Sequence, residues 1–346
     1  MAKFEYLELL QEMINKRFVN VRKHPYFPLL IYNYSKRVQR KDAWNAVINA
    51  CRGLIMDEEL NIVSRPFRRF LNHDEINLTN FSKDSFTVTE KMDGSLGISY
   101  YHNRVWYIAT RGGFDNRQAM RANQILHQKY TSCLKKMNPE YTYLFEIIYP
   151  ENHIVIDYGD SEELVLLAII NTETGEEITD LEDLTFSRLK IIKGFTSLDD
   201  VLKLNYDHSE GVVVRFTNGA RLKVKFEKYK RQHSIMLSLT DTKVWKYLAY
   251  GCDIEKLYSY SGEEFYGWIT ETKEQLLTAY NALKEEVMNN FNELPHFNSK
   301  EEAIMNIKNT KHSEFLISLI KNEPIELKLW QHIKPDENAS WFAKRG

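Results

Sequence analysis

Residues 86–95 read Phe86-Thr87-Val88-Thr89-Glu90-Lys91-Met92-Asp93-Gly94-Ser95. The β-branched and aromatic first half is typical of a strand, and Asp-Gly is typical of the tight turn that ends one. A lysine at this junction projects from a rigid edge and can act as a nucleophile once its ammonium loses a proton. The same pattern also fits a solvated lysine before a turn, so the rest of the chain has to decide between the two.

The length and charge of the chain limit the alternatives. A chain of 346 residues is long enough for two domains. Its 46 basic and 48 acidic residues nearly cancel, so an anionic partner has to be met by local basic clusters. The three cysteines are far apart and favour a reducing compartment. The first residues do not resemble a signal peptide and no apolar run has membrane-spanning length, so we expect a cytoplasmic protein without a membrane partner.

The spacing of apolar residues changes once along the chain. Between about 52 and 228, short β-branched or aromatic runs alternate with turn residues, and one helix is predicted near 117–136. Beyond about 236, apolar residues recur at helical spacing. Few helical crossovers favour antiparallel sheets. We therefore predict an α+β fold, with an antiparallel-sheet domain over 1–235 and an all-helical domain over 236–346.

Two acids and two lysines stand out downstream of Lys91. Glu146 interrupts an apolar run and Glu210 precedes another, and burying an acid is costly unless it is paired or near a metal. Lys223 and Lys225 are two apart on a predicted strand, so they share a face. Such a pair can grip a triphosphate, although lysines on a solvated edge strand look the same.

Upstream, arginines accompany glycines and aromatic residues: Arg52, Arg65, Arg68, Arg69 and, after Lys91, Arg111. The sequence has no Walker-type glycine-rich loop, so phosphates would be bound by these side chains. A reaction that needs a lysine nucleophile, cations to bind phosphates and acids near a metal would account for this combination of residues. It is nucleotidyl transfer, in which lysine attacks the α-phosphorus of ATP and pyrophosphate leaves.

In order and spacing these motifs resemble the covalent nucleotidyltransferases, which include DNA ligases, RNA ligases and mRNA capping enzymes. The resemblance rests on Lys91-Met92-Asp93-Gly94, Phe145-Glu146, Glu210-Gly211-Val212-Val213 and Lys223-Val224-Lys225. Within this superfamily the chain is most similar to the bacteriophage tRNA-repair RNA ligases, the RNA ligase 1 family. That likeness covers most of the chain, through Tyr32-Asn33-Tyr34, Cys51-Arg52-Gly53, Ser64-Arg65-Pro66, Phe70-Leu71-Asn72, Asn152-His153-Ile154-Val155, Tyr229 and His233.

The resemblance implies roles for individual residues. Lys91 would be the adenylated nucleophile, and the other catalytic residues would be Glu146, Glu210, Lys223 and Lys225. ATP would also be contacted by Tyr32, Arg52, Arg69 and Tyr229, where Arg69, like Arg111, replaces a lysine of the family. Mg²⁺, or alternatively Mn²⁺, would be held near Asp253. We also expect Arg52, Lys223 and Lys225 to lower the pKa of Lys91.

The implied function is that of a monomeric, ATP-dependent RNA ligase. It would join 5′-phosphate and 3′-hydroxyl RNA ends through lysyl-AMP and RNA-adenylate intermediates, and its RNA would be a tRNA cleaved in the anticodon loop. A nick-sealing RNA or DNA ligase, or a capping enzyme, is an alternative. DNA ligases and capping enzymes usually carry a β-barrel after the strand with the paired lysines, whereas the residues after Lys225 have the apolar spacing of helices. The remaining alternative is a non-catalytic RNA-binding protein that keeps the fold.

Overall fold

The structure is a computed structural model that describes residues 3–75, 85–152, 155–179, 184–238, 240–258 and 263–336. The chain divides into two compact units, Met1–Lys230 and Arg231–Gly346. The strands, all in the first unit, are β1 (Val19–Lys23), β2 (Leu29–Tyr34), β3 (Arg52–Asp57), β4 (Ile62–Ser64), β5 (Leu71–Asn72), β6 (Phe86–Lys91), β7 (Ser95–His102), β8 (Val105–Thr110), β9 (Tyr141–Ile148), β10 (Glu163–Asn171), β11 (Glu177–Ile178), β12 (Ser187–Arg188), β13 (Ile191–Ile192), β14 (Gly211–Phe216) and β15 (Arg221–Lys225). The helices are α1 (Leu7–Asn15), α2 (Lys36–Lys41), α3 (Ala46–Ala50), α4 (Arg117–Lys129), α5 (Thr131–Leu134), α6 (Leu198–Leu202), α7 (Glu227–Ser238), α8 (Asp241–Ala249), α9 (Glu255–Tyr258), α10 (Glu263–Asn292), α11 (Lys300–Ile307), α12 (Ser313–Ile320) and α13 (Glu326–His332).

The described strands form three sheets. Their orders are β1-β2-β3-β4, then β11-β10-β9-β7-β8 with β12 beside β10, then β13-β6-β14-β15-β5. Neighbouring strands are antiparallel except for two short parallel pairs, β10 with β12 and β15 with β5. The predicted antiparallel-sheet region is therefore confirmed, and the two exceptions arise where a short segment joins the edge of a sheet.

The third sheet separates a core from an open face. Along β15, Leu222 and Val224 are buried, and they pack with Val212 and Val214 of β14 and with Val201 of α6. Because side chains alternate along a strand, the intervening residues of β14 and β15 point to the opposite face. That opposite face carries the charged residues of the motifs.

The described elements of the C-terminal unit are helices, as the apolar spacing predicted. Val287 of α10, Phe315 of α12 and Leu329 of α13 form its core. The indole N–H of Trp245 donates to the carbonyl of Trp330 at 2.7 Å, which ties α8 to α13. No helix in the described ranges, the long α10 included, is long and apolar enough to cross a membrane.

Candidate active site

A cavity of about 560 Å³ lies over the open face of the third sheet. This volume is within the range of small-molecule sites. The register of β6, β14 and β15 places same-face residues in three cross-strand rows, which are Lys91–Gly211–Lys225, Thr89–Val213–Lys223 and Thr87–Arg215–Arg221. The motif lysines, 132 to 134 positions from Lys91 in sequence, therefore share one floor with it because β6 and β15 flank β14.

Glu210 joins the two lysines of the first row. Its carboxylate is buried, with Oε2 2.6 Å from the Lys91 ammonium and Oε1 2.8 Å from the Lys225 ammonium. The next residue must be glycine, because Gly211 has a φ of 148° and an added Cβ would lie 2.1 Å from the Val224 carbonyl oxygen. The backbone therefore brings Glu210 close enough to pair with both lysines, and one positive charge of the two is left uncompensated by it.

The turn after Lys91 is fixed by Glu146 of β9. The Gly94 N–H donates to Glu146 Oε1 at 3.1 Å. A Cβ at Gly94 would lie 2.6 Å from the Ile147 carbonyl oxygen, so the turn can approach β9 this closely only with glycine. Burial raises the pKa of Glu146 to about 7, against the opposing effect of Lys91. Near neutral pH this carboxyl can therefore release or accept a proton.

Asp93 connects the same turn to two later segments. Its buried carboxylate accepts hydrogen bonds from the Tyr229 hydroxyl at 2.7 Å and from the N–H groups of Val155 and Ile156 at 2.7 and 2.9 Å. Its own N–H donates to the Tyr158 hydroxyl at 2.8 Å. Through Asp93, Tyr229 thus contacts the turn after Lys91, and its ring also packs 5.0 Å from the Lys225 ammonium. In the sequence, Asp93 was indicated only as part of the turn after Lys91, because its partners are far from it along the chain.

The expected lowering of the Lys91 pKa is wrong for this structure. Burial does favour loss of the proton, but Glu210 and Glu146, with a smaller effect from Asp93, outweigh it and raise the pKa of Lys91. The amine with a lowered pKa is that of Lys223, where burial and the nearby charges of Arg52 and Lys91 bring the pKa to about 8. The sequence indicated the cations around Lys91 and singled out Glu210, but it did not indicate that Glu210 lies between Lys91 and Lys225.

Arg52 and Arg111 add cations to the wall of the cavity. Arg52 Nη1 is buried and has no hydrogen-bond partner among the described residues. Arg111 donates from Nη1 to the Tyr34 hydroxyl at 2.9 Å. Tyr32, the residue predicted to contact ATP, is instead 3% exposed within the core beneath the first sheet. Tyr34 is the tyrosine of that motif which contacts a cavity residue.

Besides Tyr32, the predicted residue Arg69 does not line this cavity, nor do Glu210 and Tyr229, which contact Lys225 in its lining. Arg69 packs 3.9 Å from the Trp44 ring centre and pairs with Glu75 at 2.6 Å. Asp253 belongs to the C-terminal unit, where its Oδ1 accepts from the Glu255 N–H at 3.1 Å. No group of three or more His, Cys, Asp or Glu residues in the described ranges is placed to hold a metal ion. The metal role of Asp253 therefore stays a prediction, and His153 and Ile154 of the predicted family motif lie outside the described residues.

The fold of the chain is similar to that of a solved ligase structure. An archaeal ATP-dependent RNA ligase superposes with a TM-score of 0.51 at 13% identity, over 91% of this chain and 94% of that one. A family model described as RNA ligase matches residues 50–233, just over half of the chain. The chain therefore belongs to the RNA ligase family, and the family resemblance seen in the motifs is confirmed.

Two further relatives are more partial matches. A protein of Autographa californica nuclear polyhedrosis virus, named as a bifunctional polynucleotide kinase/RNA ligase, is 28% identical over 258 residues. That match includes 65% of this chain but only 36% of the viral protein, so the chain spans about a third of that relative. An RNA ligase from Naegleria gruberi, a mutant with ATP and Mn, has a TM-score of 0.39 at 15% identity, over 45% of this chain and 53% of that one.

Proposed function

We propose that the protein is an ATP-dependent RNA ligase with Lys91 as its nucleophile. The observation that carries this proposal is the first row of the cavity floor, where Lys91 shares the buried carboxylate of Glu210 with Lys225. In the first step a bond forms between Lys91 Nζ and the α-phosphorus of ATP. The α–β phosphoanhydride bond breaks, pyrophosphate leaves and the amine gives up its proton.

The two later steps move AMP to RNA and then release it. An oxygen of the RNA 5′-phosphate attacks the phosphorus of lysyl-AMP, the N–P bond breaks and the amine of Lys91 is restored. The 3′-hydroxyl then attacks the 5′-phosphorus, the phosphodiester forms, the hydroxyl loses its proton and AMP leaves. Lys223, Lys225 and Arg52 neutralise the phosphates in these steps, because charge is spread over phosphate oxygens in each transition state.

The residues of the cavity fit a divalent ion that is shared with the substrate. Glu210 and Glu146 supply two carboxylates, and Mg²⁺ is commonly bound by one or two carboxylates together with phosphate oxygens and water. Mg²⁺, or Mn²⁺ in its place, would polarise the oxygens of the phosphoryl group whose phosphorus is attacked. Glu210 can serve such an ion only if it releases an ammonium, so binding at this carboxylate and freeing of Lys91 would be coupled.

The RNA we propose is a tRNA cut in its anticodon loop. The resemblance to tRNA-repair ligases and membership of the RNA ligase family support this choice. In this proposal residues 1–235 are the adenylyltransferase domain, and residues 236–346 select the RNA. Sealing of a nicked anticodon stem-loop in competition with unstructured RNA and nicked duplex DNA tests it. Equal use of the three substrates would refute the tRNA preference.

Transfer of radioactive label from α-³²P-ATP to the protein tests the chemistry. Lys91→Ala should abolish the label, because the proposal assigns the bond to the α-phosphorus to Lys91 Nζ. Lys23→Ala is the matched control, since Lys23 is an exposed lysine of the same unit, 2.9 Å from Glu58. Undiminished label on Lys91→Ala would show that another residue carries AMP.

A further inference from the structure

A second cavity, of about 690 Å³, lies beside the first and is rich in arginine. We call it the arginine cavity, and it is lined by Arg65, Arg68, Arg69, Arg215 and Arg221; among the residues that the structure describes, its acidic lining residues are Glu176 and Glu177. The lining therefore has more positive than negative charge, while the whole chain has a net charge of −2. A local excess of this kind points to an anionic ligand.

Arg65 is held firmly in the wall of this cavity. Its Nε donates to the Thr172 carbonyl at 2.9 Å and its Nη2 donates to the Glu173 carbonyl at 3.2 Å. These partners orient the guanidinium without cancelling its charge. Burial lowers the pKa of Arg65, and the nearby charge of Arg68 lowers it further. The exposed Glu5, 3.6 Å from Arg68, offsets the charge of Arg68 only in part, so an anion in the cavity would still be favoured.

The arginine cavity shares a wall with the first cavity, which lies over the open face of the third sheet. Glu177 Oε2 accepts hydrogen bonds from both Arg215 Nε at 2.8 Å and Arg221 Nη2 at 2.6 Å. One carboxylate cannot neutralise two guanidiniums, so the cluster keeps a positive charge. Arg221 also stacks 4.6 Å from the ring centre of Phe67, and these four residues line both cavities.

We propose that the arginine cavity binds the sugar-phosphate backbone of single-stranded RNA near the end that is joined at Lys91. This assignment rests on the proposed ligase function, which supplies RNA as the polyanion. Guanidinium groups match phosphate geometry, and arginines beside aromatic rings are typical of single-strand sites. Along β15 only two steps, each of roughly 7 Å, separate Lys225 from Arg221. A strand with its end at Lys91 therefore needs few nucleotides to reach this wall.

Two substitutions test the site without altering the proposed catalytic residues. Arg68 does not line the first cavity, so its predicted contact with ATP phosphates is not supported there. Its side chain is 62% exposed, and its ion pair with the exposed Glu5, at 3.6 Å, is of a kind that contributes little to stability, so the fold should tolerate Arg68→Glu. Thr217→Glu places a carboxylate at an exposed lining position whose backbone N–H still donates to the Ser85 carbonyl. Lys23→Glu and Gln128→Glu are the controls, because they make the same charge changes at exposed positions outside the lining.

The measurement is fluorescence anisotropy of a labelled single-stranded RNA with hydroxyl ends, over a series of salt concentrations and without ATP. We expect Arg68→Glu to weaken binding about tenfold at low salt and to reduce the salt slope by about one, as for a lost phosphate contact. Thr217→Glu should weaken binding in the same direction, the controls should bind as the wild type does, and lysyl-AMP formation should be unchanged in every variant.

The outcomes separate this assignment from the proposed function. Wild-type affinity and salt slope in both Arg68→Glu and Thr217→Glu would overturn the assignment, as would an equal loss in the control variants. Loss of lysyl-AMP formation together with RNA binding would also overturn it, because the arginine cavity would then belong to the nucleotide site. If wild-type protein forms no lysyl-AMP while the two variants still lose RNA binding, the proposed chemistry fails and the RNA site stands.

Discussion

The Lys91 ammonium lies 2.6 Å from Glu210 Oε2, and this ion pair holds the proposed nucleophile in its unreactive, charged form. Glu210 is buried and its other oxygen faces Lys225, so the pair is protected from solvent screening. Attack on phosphorus therefore requires Lys91 to leave Glu210 and lose its proton. Under the proposed function, the ion pair would make adenylation depend on a competitor for Glu210, such as a divalent ion that arrives with ATP.

The pH dependence of adenylation should reflect this ion pair. Because the pKa of Lys91 is raised above the ordinary lysine value of 10.5, the neutral amine is scarce at neutral pH and becomes more abundant as the pH rises. We expect the rate of lysyl-AMP formation to increase up to at least pH 9, with no plateau near neutrality. Glu210→Gln should move this rise to lower pH while it lowers the maximal rate. Quenched-flow measurements across pH test both, and an unchanged profile in Glu210→Gln would refute the role of the ion pair.

The affinity for ATP should depend on pH through the charge of Lys223. The pKa of this amine is lowered to about 8, so its positive charge is present below that pH and is lost above it. We expect an ATP analogue that cannot be cleaved to bind about tenfold more weakly above this pH than below it, equivalent to ~1.5 kcal/mol for a hydrogen bond to a charged group. Isothermal titration calorimetry measures the change. Lys223→Arg is the matched control, because arginine stays charged and should remove the dependence.

The sequence predicted β9 and β14 because each is a run of β-branched and apolar residues between turns, and it predicted β15 because cations alternate there with Leu222 and Val224. Strand alternation also predicted that Lys223 and Lys225 share a face, as they do on β15. The partner of each charge was harder to predict, since Glu210 contacts Lys91 across 119 positions of the chain. A pattern within one strand does not contain that pairing, and the direction of the pKa shift at Lys91 depends on it.

The choice between Tyr32 and Tyr34 shows the same limit. The two residues are neighbours on one face of β2, so alternation does not separate them. Packing does, because Tyr32 lies in the core while Tyr34 contacts Trp44 and the guanidinium of Arg111. The Asp93–Tyr229 hydrogen bond spans 136 positions, and the sequence pattern did not predict it either. Contacts between distant segments, rather than local preference, complete the site.

Gly211 should be essential for both stability and the geometry of the first row. In Gly211→Ala the new Cβ would lie 2.1 Å from the Val224 carbonyl oxygen, so β14 and β15 must separate. We expect a loss of about 3 kcal/mol in the free energy of unfolding, together with loss of lysyl-AMP formation. Gly219→Ala is the control, since Gly219 also has a positive φ, of 85°, but open space around it, and should cost about 1 kcal/mol. Equal losses in urea denaturation of the two variants would contradict the steric argument.

His24 should make the protein sensitive to acid at a position away from the cavity. Its Nδ1 accepts hydrogen bonds from the Tyr26 and Phe27 N–H groups at 3.0 and 3.1 Å, so the folded state requires Nδ1 without a proton. Burial lowers the pKa of His24, with a smaller contribution from His102. Below the ordinary value of 6.5 the unfolded chain therefore binds the proton first, and stability falls as the pH drops from 6.5 towards the folded pKa.

Urea denaturation at a series of pH values measures this effect. The slope due to His24 is at most about 1.4 kcal/mol per pH unit, because one proton is involved. His24→Gln removes the titrating group and should flatten the dependence of the unfolding free energy on pH below 6.5, even if it lowers stability at neutral pH. His127→Gln is the comparison, because it removes a more exposed histidine, whose Nε2 lies 3.0 Å from the Trp106 carbonyl oxygen, by the same substitution. A flatter acid slope in His24→Gln than in His127→Gln would assign the effect to His24. An acid slope that persists in His24→Gln would assign the sensitivity to another group.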